Sequence, residues 1–306
     1  MTDLYPSRLG ADAAALPRLD PVVYTDWCDD APLSREQTEQ FGRDGFLVLP
    51  DLFTAEEVAA LQQSSTRLIA DPGALDPATV ISEPGVNEVR SIFMIHRQDN
   101  IMKRLAEDER LTSIARFILG DDVYIHQSRL NYKPGFVGKE FYWHSDFETW
   151  HVEDGMPRMR ALSMSILLAS NTPANGPLMV IPGSHQKFCA CAGETPEEHY
   201  LASLKKQEYG VPDTLTIAEL AAAGGIVTAT GAAGTVVVFD CNILHGSNGN
   251  ITPFPRANAF LVYNAVSNKL VAPFGAPQPR PEFIAARQTI HTLQPSRSTL
   301  LETADG

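Results

Sequence analysis

The 306-residue chain carries 37 Asp and Glu against 24 Lys and Arg, a formal net charge of −13, with 44% hydrophobic and 20% charged residues. That balance belongs to a globular chain and excludes collagen-like, coiled-coil and wholly disordered ones. So acidic a chain, with no Lys/Arg-rich run, repels phosphate backbones, and nucleic acid is not an expected partner.

Residues 1–33 are rich in Pro, Asp and Ala without periodicity and read as an extended arm or loose lead-in. Ser34 with Gln37 and Thr54 with Glu57 have capping-box spacing, which predicts helices over 34–44 and 54–70. Val58, Leu61, Leu68 and Ile69 fall on one face of the second. Phe46 to Pro50 is a short strand closed by proline, and Pro72, Gly73, Pro77, Pro84 and Gly85 make 72–87 a loop. A third helix over 108–119 ends at Gly120. Beyond it, 122–133, 159–169, 178–181, 226–230, 235–240 and 257–266 read as strands, interrupted by a helical insertion over 196–223. Leu162, Ser163, Met164, Ser165 and Ile166 alternate as a half-buried strand does. Pro273, Pro277, Pro279 and Pro281 mark a covering loop.

Helices first and strands later predict a mainly β fold with helical support. A single domain is expected: the arm 1–33, helical support 34–120, a β core 121–270 holding the insertion, and a C-terminal segment 271–306. No apolar run approaches the roughly 18 residues of a membrane span, so no membrane partner is expected. Four cysteines, Cys28, Cys189, Cys191 and Cys241, form no C-x-x-C pair and are too few for a disulfide scaffold. The N-terminus has no basic head followed by an apolar run. A cytoplasmic protein is expected; a homodimer is compatible with the chain.

The chemistry starts at Trp143-His144-Ser145-Asp146. On a strand, residues i and i+2 share a face, so His144 and Asp146 can grip one ion. His245, a short turn after the apolar Val236–Asp240, is the best second histidine, and His151 competes with it. Two histidines and a carboxylate make the facial triad of non-haem Fe(II) oxygenases, with positions left open for cosubstrate and O2. The tripeptide alone is common. Arg256 lies eleven residues past His245, and a hairpin of that length returns a guanidinium suited to a carboxylate.

His144-x-Asp146, then Asn175-Gly-Pro-Leu-Met-Val-Ile-Pro-Gly-Ser-His185, then His245 with Arg256 resemble the phytanoyl-CoA dioxygenase-type family of 2-oxoglutarate-dependent oxygenases. The resemblance implies a double-stranded β-helix (jelly-roll, cupin-like) core. It implies Fe(II) on His144, Asp146 and His245, and the distal carboxylate of 2-oxoglutarate on Arg256. Phe141-Tyr-Trp-His-Ser-Asp-Phe-Glu-Thr-Trp-His-Val-Glu-Asp-Gly-Met-Pro157, with Met159-Arg-Ala161, is similar to the ectoine hydroxylase branch of that family, and the layout follows that branch across almost the full chain. That branch implies ectoine as the small-molecule substrate, and O2 and 2-oxoglutarate as cosubstrates. A small residue at Asp146 would have indicated a halogenase instead.

Period-two alternation puts Gln127, Arg129, Asn131 and Lys133 on one face. Read with the resemblance they line the cavity: Gln127 meets substrate, and Asn131 and Lys133 help hold 2-oxoglutarate. A cationic amidine ring favours aromatic faces, which nominates Trp150, Phe239 and Phe260, with Asn258 on the face of Phe260 and Arg256. Arg280 is one option for the substrate carboxylate. Asn175 to Ser184 read as structural turn residues. A sister oxygenase for another small amino-acid-like substrate and a cupin-like metal protein are the alternatives.

Overall fold

The computed structural model describes residues 2–10, 12–83, 85–86, 88–200, 209–297 and 300–301. Both capping boxes form as read: Ser34 opens α1 (Arg35–Asp44) and Thr54 opens α2 (Ala55–Ala70). Between them runs β2 (Phe46–Leu49). Two further helices, α3 (Ile95–Gln98) and α4 (Asn100–Glu107), precede α5 (Glu109–Leu119), which ends on left-handed Gly120.

The arm is not loose. Its strand β1 (Ala14–Pro17) pairs antiparallel with β9 (Lys187–Ala190), and Tyr5 and Arg8 are buried. Pairing and side-chain burial, neither visible as periodicity, hold it. The stretch read as a loop over 72–87 contains β3 (Val80–Ser82) after two short 3-10 turns, and β4 (Val89–Phe93) follows. Of the insertion read over 196–223, the described part holds α7 (Thr214–Gly224); residues 201–208 lie outside the described ones.

Two larger antiparallel sheets make the core. The seven-stranded sheet runs β2, β11 (Val236–Asp240), β7 (Ala161–Leu167), β13 (Arg256–Ala265), β5 (Val123–Lys133), β4, β3. The four-stranded sheet runs β10 (Val227–Ala229), β8 (Leu178–Val180), β12 (His245–Ser247), β6 (Phe141–His144). One face of the larger sheet, with Val236, Val238, Met164, Ile166, Ala259 and Leu261, packs against helices α1, α2, α4 and α5 through Phe41, Leu61, Met102 and Leu111. Its other face, with Val237, Phe239, Leu167 and Phe260, packs against Leu178 and Val180 of the smaller sheet. β7 is therefore buried along its whole length. Its serines do not face solvent, as alternation suggested; they face the space between the sheets.

On β5 the alternation changes phase. Val123 and Ile125 face the helices, but so does Leu130. Ile125 pairs with Tyr263 and Gln127 with Val262, so His126 is one extra residue, a β-bulge. It turns Gln127, Arg129, Asn131 and Lys133 toward the smaller sheet. Among the described residues no helix is long and apolar enough to cross a membrane.

Candidate metal centre and active-site cavity

His144 and His245 are cross-strand partners on β6 and β12. Register alone thus sets two imidazoles side by side, with ring centroids 4.3 Å apart. Asp146 does not share their strand, contrary to the i, i+2 expectation. Ser145 caps a helix, α6 (Asp146–Asp154), and Asp146 is its first residue. A carboxylate is favoured at a helix N-terminus, and there it reaches the histidines from the side. Its Oδ1 lies 3.8 Å from Nε2 of each, and one donor atom from each of the three residues falls within 4.8 Å of the others.

The donor set fits a metal. Nδ1 of His144 lies 2.6 Å from the Tyr142 carbonyl and Nδ1 of His245 lies 3.1 Å from that of Ile243. A proton on each Nδ1 donates to the carbonyl, which leaves both Nε2 lone pairs aimed at Asp146. Burial, then His245, pulls the pKa of His144 down to about 3, so its ring is neutral and able to ligate. Ser163 on β7 donates to the second carboxylate oxygen at 3.3 Å. His151 is no competitor: its nitrogens lie 2.9 Å from Asp3 and 2.8 Å from the Met156 carbonyl, and its ring stacks on Phe274.

α6 is clamped at both ends. Arg8 of the arm meets both oxygens of Glu148, at 2.9 and 2.5 Å, and Glu153 at 2.6 Å. Arg280 grips Asp154 with Nε at 2.8 Å and Nη2 at 2.5 Å. The helix ends on Gly155, at φ 74°, where a Cβ would stand 2.1 Å from the Val271 carbonyl oxygen. No residue but glycine fits that approach.

Arg256 opens β13 opposite Lys133. It does not return by a hairpin: β12 and β13 belong to different sheets, because short β12 pairs with β6 and β8, and residues 248–255 cross between them. Arg256 is buried, donates to the Gly176 carbonyl at 2.9 Å and Asn131 Oδ1 at 2.7 Å, and keeps a buried Nε without a partner. Burial, then Arg129 and Arg90, pulls its pKa to about 9. The set suits an incoming carboxylate: a guanidinium held by neutral groups with one N–H in reserve. Lys133 donates to Ser247 Oγ at 2.8 Å and to the Asn248 carbonyl. Gly176, read as a turn residue, also supplies the carbonyl that orients Arg256.

A cavity opens on His144 and Asp146, and Gln127, Trp150 and Arg280 of the expected substrate residues line it. Gln127 donates to the Ile284 carbonyl at 2.8 Å. Trp150 meets His126 edge-on at 5.1 Å. Phe239 and Phe260 lie in the packing between the sheets, with Phe239 5.2 Å from the His245 ring. Asn258 donates to Ser165 Oγ at 3.1 Å and leaves its buried Oδ1 unpaired. Arg129 lines the cavity as expected, whereas Asn131 and Lys133 of the same face do not; Phe141, Thr149 and Glu153 also line it and were not singled out. Arg129 was legible from its place in the alternation; Phe141, Thr149 and Glu153 stood in the quoted motif without a signal of their own.

A family model described as phytanoyl-CoA dioxygenase (PhyH) matches residues 41–258. The chain belongs to the phytanoyl-CoA dioxygenase family. It is 66% identical over 303 residues, 99% of each chain, to the ectoine dioxygenase of Sphingopyxis alaskensis. It is 55% identical over 291 residues to that of Stutzerimonas stutzeri, covering 95% of this chain and 96% of the other. The crystal structure of EctD from S. alaskensis with 2-oxoglutarate and 5-hydroxyectoine superposes with a TM-score of 0.91 at 61% identity, covering 98% of this chain and 100% of that one. The structure of the same protein with bound Fe gives 0.89. The fold is accordingly the jelly roll of that family, sheet on sheet with helices outside.

Proposed function

We propose that the chain is one oxygenase domain, an Fe(II)- and 2-oxoglutarate-dependent dioxygenase that hydroxylates ectoine to 5-hydroxyectoine, consuming O2 and releasing succinate and CO2. The observation that carries this is the convergence of His144, Asp146 and His245, two of them in the wall of a cavity, together with the buried Arg256, which lacks a carboxylate partner. The relatives, similar over nearly the whole chain, support the choice of substrate. His144, Asp146 and His245 would hold Fe(II), which would supply the activation of O2 that oxidises a substrate C–H bond while the keto acid is decarboxylated.

The chain's own residues do the rest. Arg256, with Asn131 and Lys133, holds and orients 2-oxoglutarate. Gln127, Trp150 and Arg280 form the wall that substrate meets, and Phe239, Asn258 and Phe260 back it from between the sheets. Ser163 fixes the rotamer of Asp146, and the clamps on α6 keep its carboxylate in place. The partner is a small molecule; the net charge of −13 argues against nucleic acid. Four unpaired cysteines suit a reducing cytoplasm. Exposed Phe136, Ile251 and Phe254, on two loops joined by the Phe136 N–H to the Thr252 carbonyl, offer a face for a homodimer.

Mass spectrometry of ectoine incubated with the protein, Fe(II), 2-oxoglutarate and O2 tests the reading. A product heavier by one oxygen, formed with stoichiometric succinate, is expected. Succinate with no change in ectoine, while another small amino acid is hydroxylated, would move the protein to a sister activity. No succinate at all would remove it from the oxygenases.

A further inference from the structure

His144 and Asp146 flank Ser145, whereas His245 follows the turn 241–244 that leaves β11. That turn passes from the larger sheet to the smaller one, so the register of β11 does not place His245. Residues 240–244 are all buried. Asn242 lies in the middle of the turn. Its backbone N–H donates to Asp240 Oδ1 at 2.7 Å, and its Nδ2 donates to the carbonyls of His185 and Lys187, each at 2.9 Å. Its Oδ1 accepts from Ser145 Oγ at 3.1 Å. Two carbonyls on one side of the amide and a hydroxyl on the other fix which way it points, since a flipped amide would set its oxygen against both carbonyls.

Ser145 also caps α6, its Oγ accepting from the Glu148 N–H at 3.5 Å. The Phe147 N–H donates to the Cys241 carbonyl at 2.8 Å, so the turn and the start of the helix are joined twice in succession. Behind the turn, Arg18 of the arm donates to Asp240 Oδ1 at 2.8 Å, with both side chains buried. The pairing of β6 with β12 sets the two imidazoles side by side. Asp146 lies past the end of β6, so where α6 begins decides where its carboxylate stands. Metal affinity follows how closely the donors are held before the ion arrives, and losing an outer partner typically costs about 10–100-fold.

We propose that Asn242 is a positioning residue of the metal centre: it locks Ser145, and with it the first residue of α6, to the turn that delivers His245. It supplies no ligand and acts on Asp146 through Ser145. The proposal rests on the reading of His144, Asp146 and His245 as the iron ligands.

The test is anaerobic titration of the metal-free full chain with Fe(II), together with its melting temperature and the visible spectrum of the protein loaded with Co(II). Ser145→Ala removes the hydroxyl and leaves the other three bonds of Asn242 in place; Asn242→Ala removes the amide. Each is expected to weaken Fe(II) binding by about tenfold or more and to change the Co(II) ligand-field bands. The double variant should bind within about threefold of Asn242→Ala, because both substitutions break the same link. Ser145→Thr, which keeps the hydroxyl and the cap, should bind Fe(II) within about threefold of wild type. Leu61→Ala, in the helix-side core, shows destabilisation alone: lower melting with wild-type Fe(II) affinity. Lower melting with unchanged Fe(II) affinity and bands in Ser145→Ala makes the link merely structural and overturns the proposal, as does a double variant whose losses multiply. If Asn242→Ala does not fold, Ser145→Ala and Ser145→Thr decide. Wild-type Fe(II) affinity in His245→Ala refutes the metal reading itself; iron lost there but kept in Ser145→Ala and Asn242→Ala refutes only the role of Asn242.

Discussion

If Lys133 helps hold 2-oxoglutarate as proposed, binding of the keto acid should be coupled to uptake of a proton. The Lys133 Nζ is buried at the end of β5, and burial, then Arg256 and Arg90, pull its pKa down to about 6. At pH 7.5, about 1.5 units above that value, roughly 3% of it is charged. A carboxylate arriving at Arg256, its partner across the sheet, offsets the repulsion from the two arginines and raises the pKa. A rise of about 3 units makes the bound side chain roughly 97% charged, so binding takes up about 0.9 proton. Calorimetry at pH 7.5 in phosphate and in Tris reads that number from the dependence of the observed enthalpy on buffer ionisation. Affinity should fall about tenfold per pH unit from about pH 6 up to the pKa of the complex. In the free protein the sign is the reverse of an ion pair's. Between about 6 and the unfolded value of 10.5 the unfolded chain holds a proton that the folded chain has released. Stability therefore rises with pH across that window, and the burden is greatest below it. Uptake below about 0.2 proton, with the same pH slope in Lys133→Met, would refute the reasoning.

Arg256→Ala should raise the KM for 2-oxoglutarate by at least about 30-fold and that for ectoine far less, checked by steady-state kinetics on each; removing one side of a buried charge pair costs about 2–5 kcal/mol. His144→Ala, Asp146→Ala and His245→Ala should each lose bound iron by metal analysis, whereas His151→Phe should retain it. Arg8→Ala leaves Glu148 and Glu153 buried without their cation, a loss of about 3–5 kcal/mol; at roughly 2 °C per kcal/mol for a chain this long, melting should fall by about 6–10 °C. Trp150 is packed with Phe147 and Tyr5 and also lines the cavity: Trp150→Ala should lose about 3–5 kcal/mol of stability and also form succinate in excess of 5-hydroxyectoine, measured on one preparation.

Local signals carried through to the structure and long-range ones did not. The boxes at Ser34 and Thr54 are complete within four residues, so helices α1 and α2 begin where expected. Ser145 and Glu148 have the same spacing; the alternating look of His144 and Asp146 hid a helix that this one rule would have found. β6, β8 and β12 have only four, three and three residues. Such pieces have too few positions to display a period, and pairing, not propensity, makes them strands. The arm was unreadable for a related reason. Arg8 and Tyr5 are held by Glu148 and Asp20, and Glu148 lies 140 positions away. The triad was legible because chemistry restricts its residue types, although the register that joins His144 to His245 was not.

The bulge at His126 ties the core to the site. Along β5 the sequence offers one set of alternate side chains to each face, and a slip of one residue exchanges them. With the extra residue in place, Leu130 joins the helix-side core, while Gln127, Arg129, Asn131 and Lys133 face the space between the sheets. Without it, pairing kept through Val123 and Ile125 would drive two cations, an amide and Asn131 against Leu105 and Ile118, and bring Leu130 to the iron side. Neither face tolerates that exchange, since buried unpaired charges and lost apolar packing both oppose it. One residue out of phase therefore lets an acidic chain with an apolar core place the positive charge of Arg129 and Lys133 in the space between the sheets.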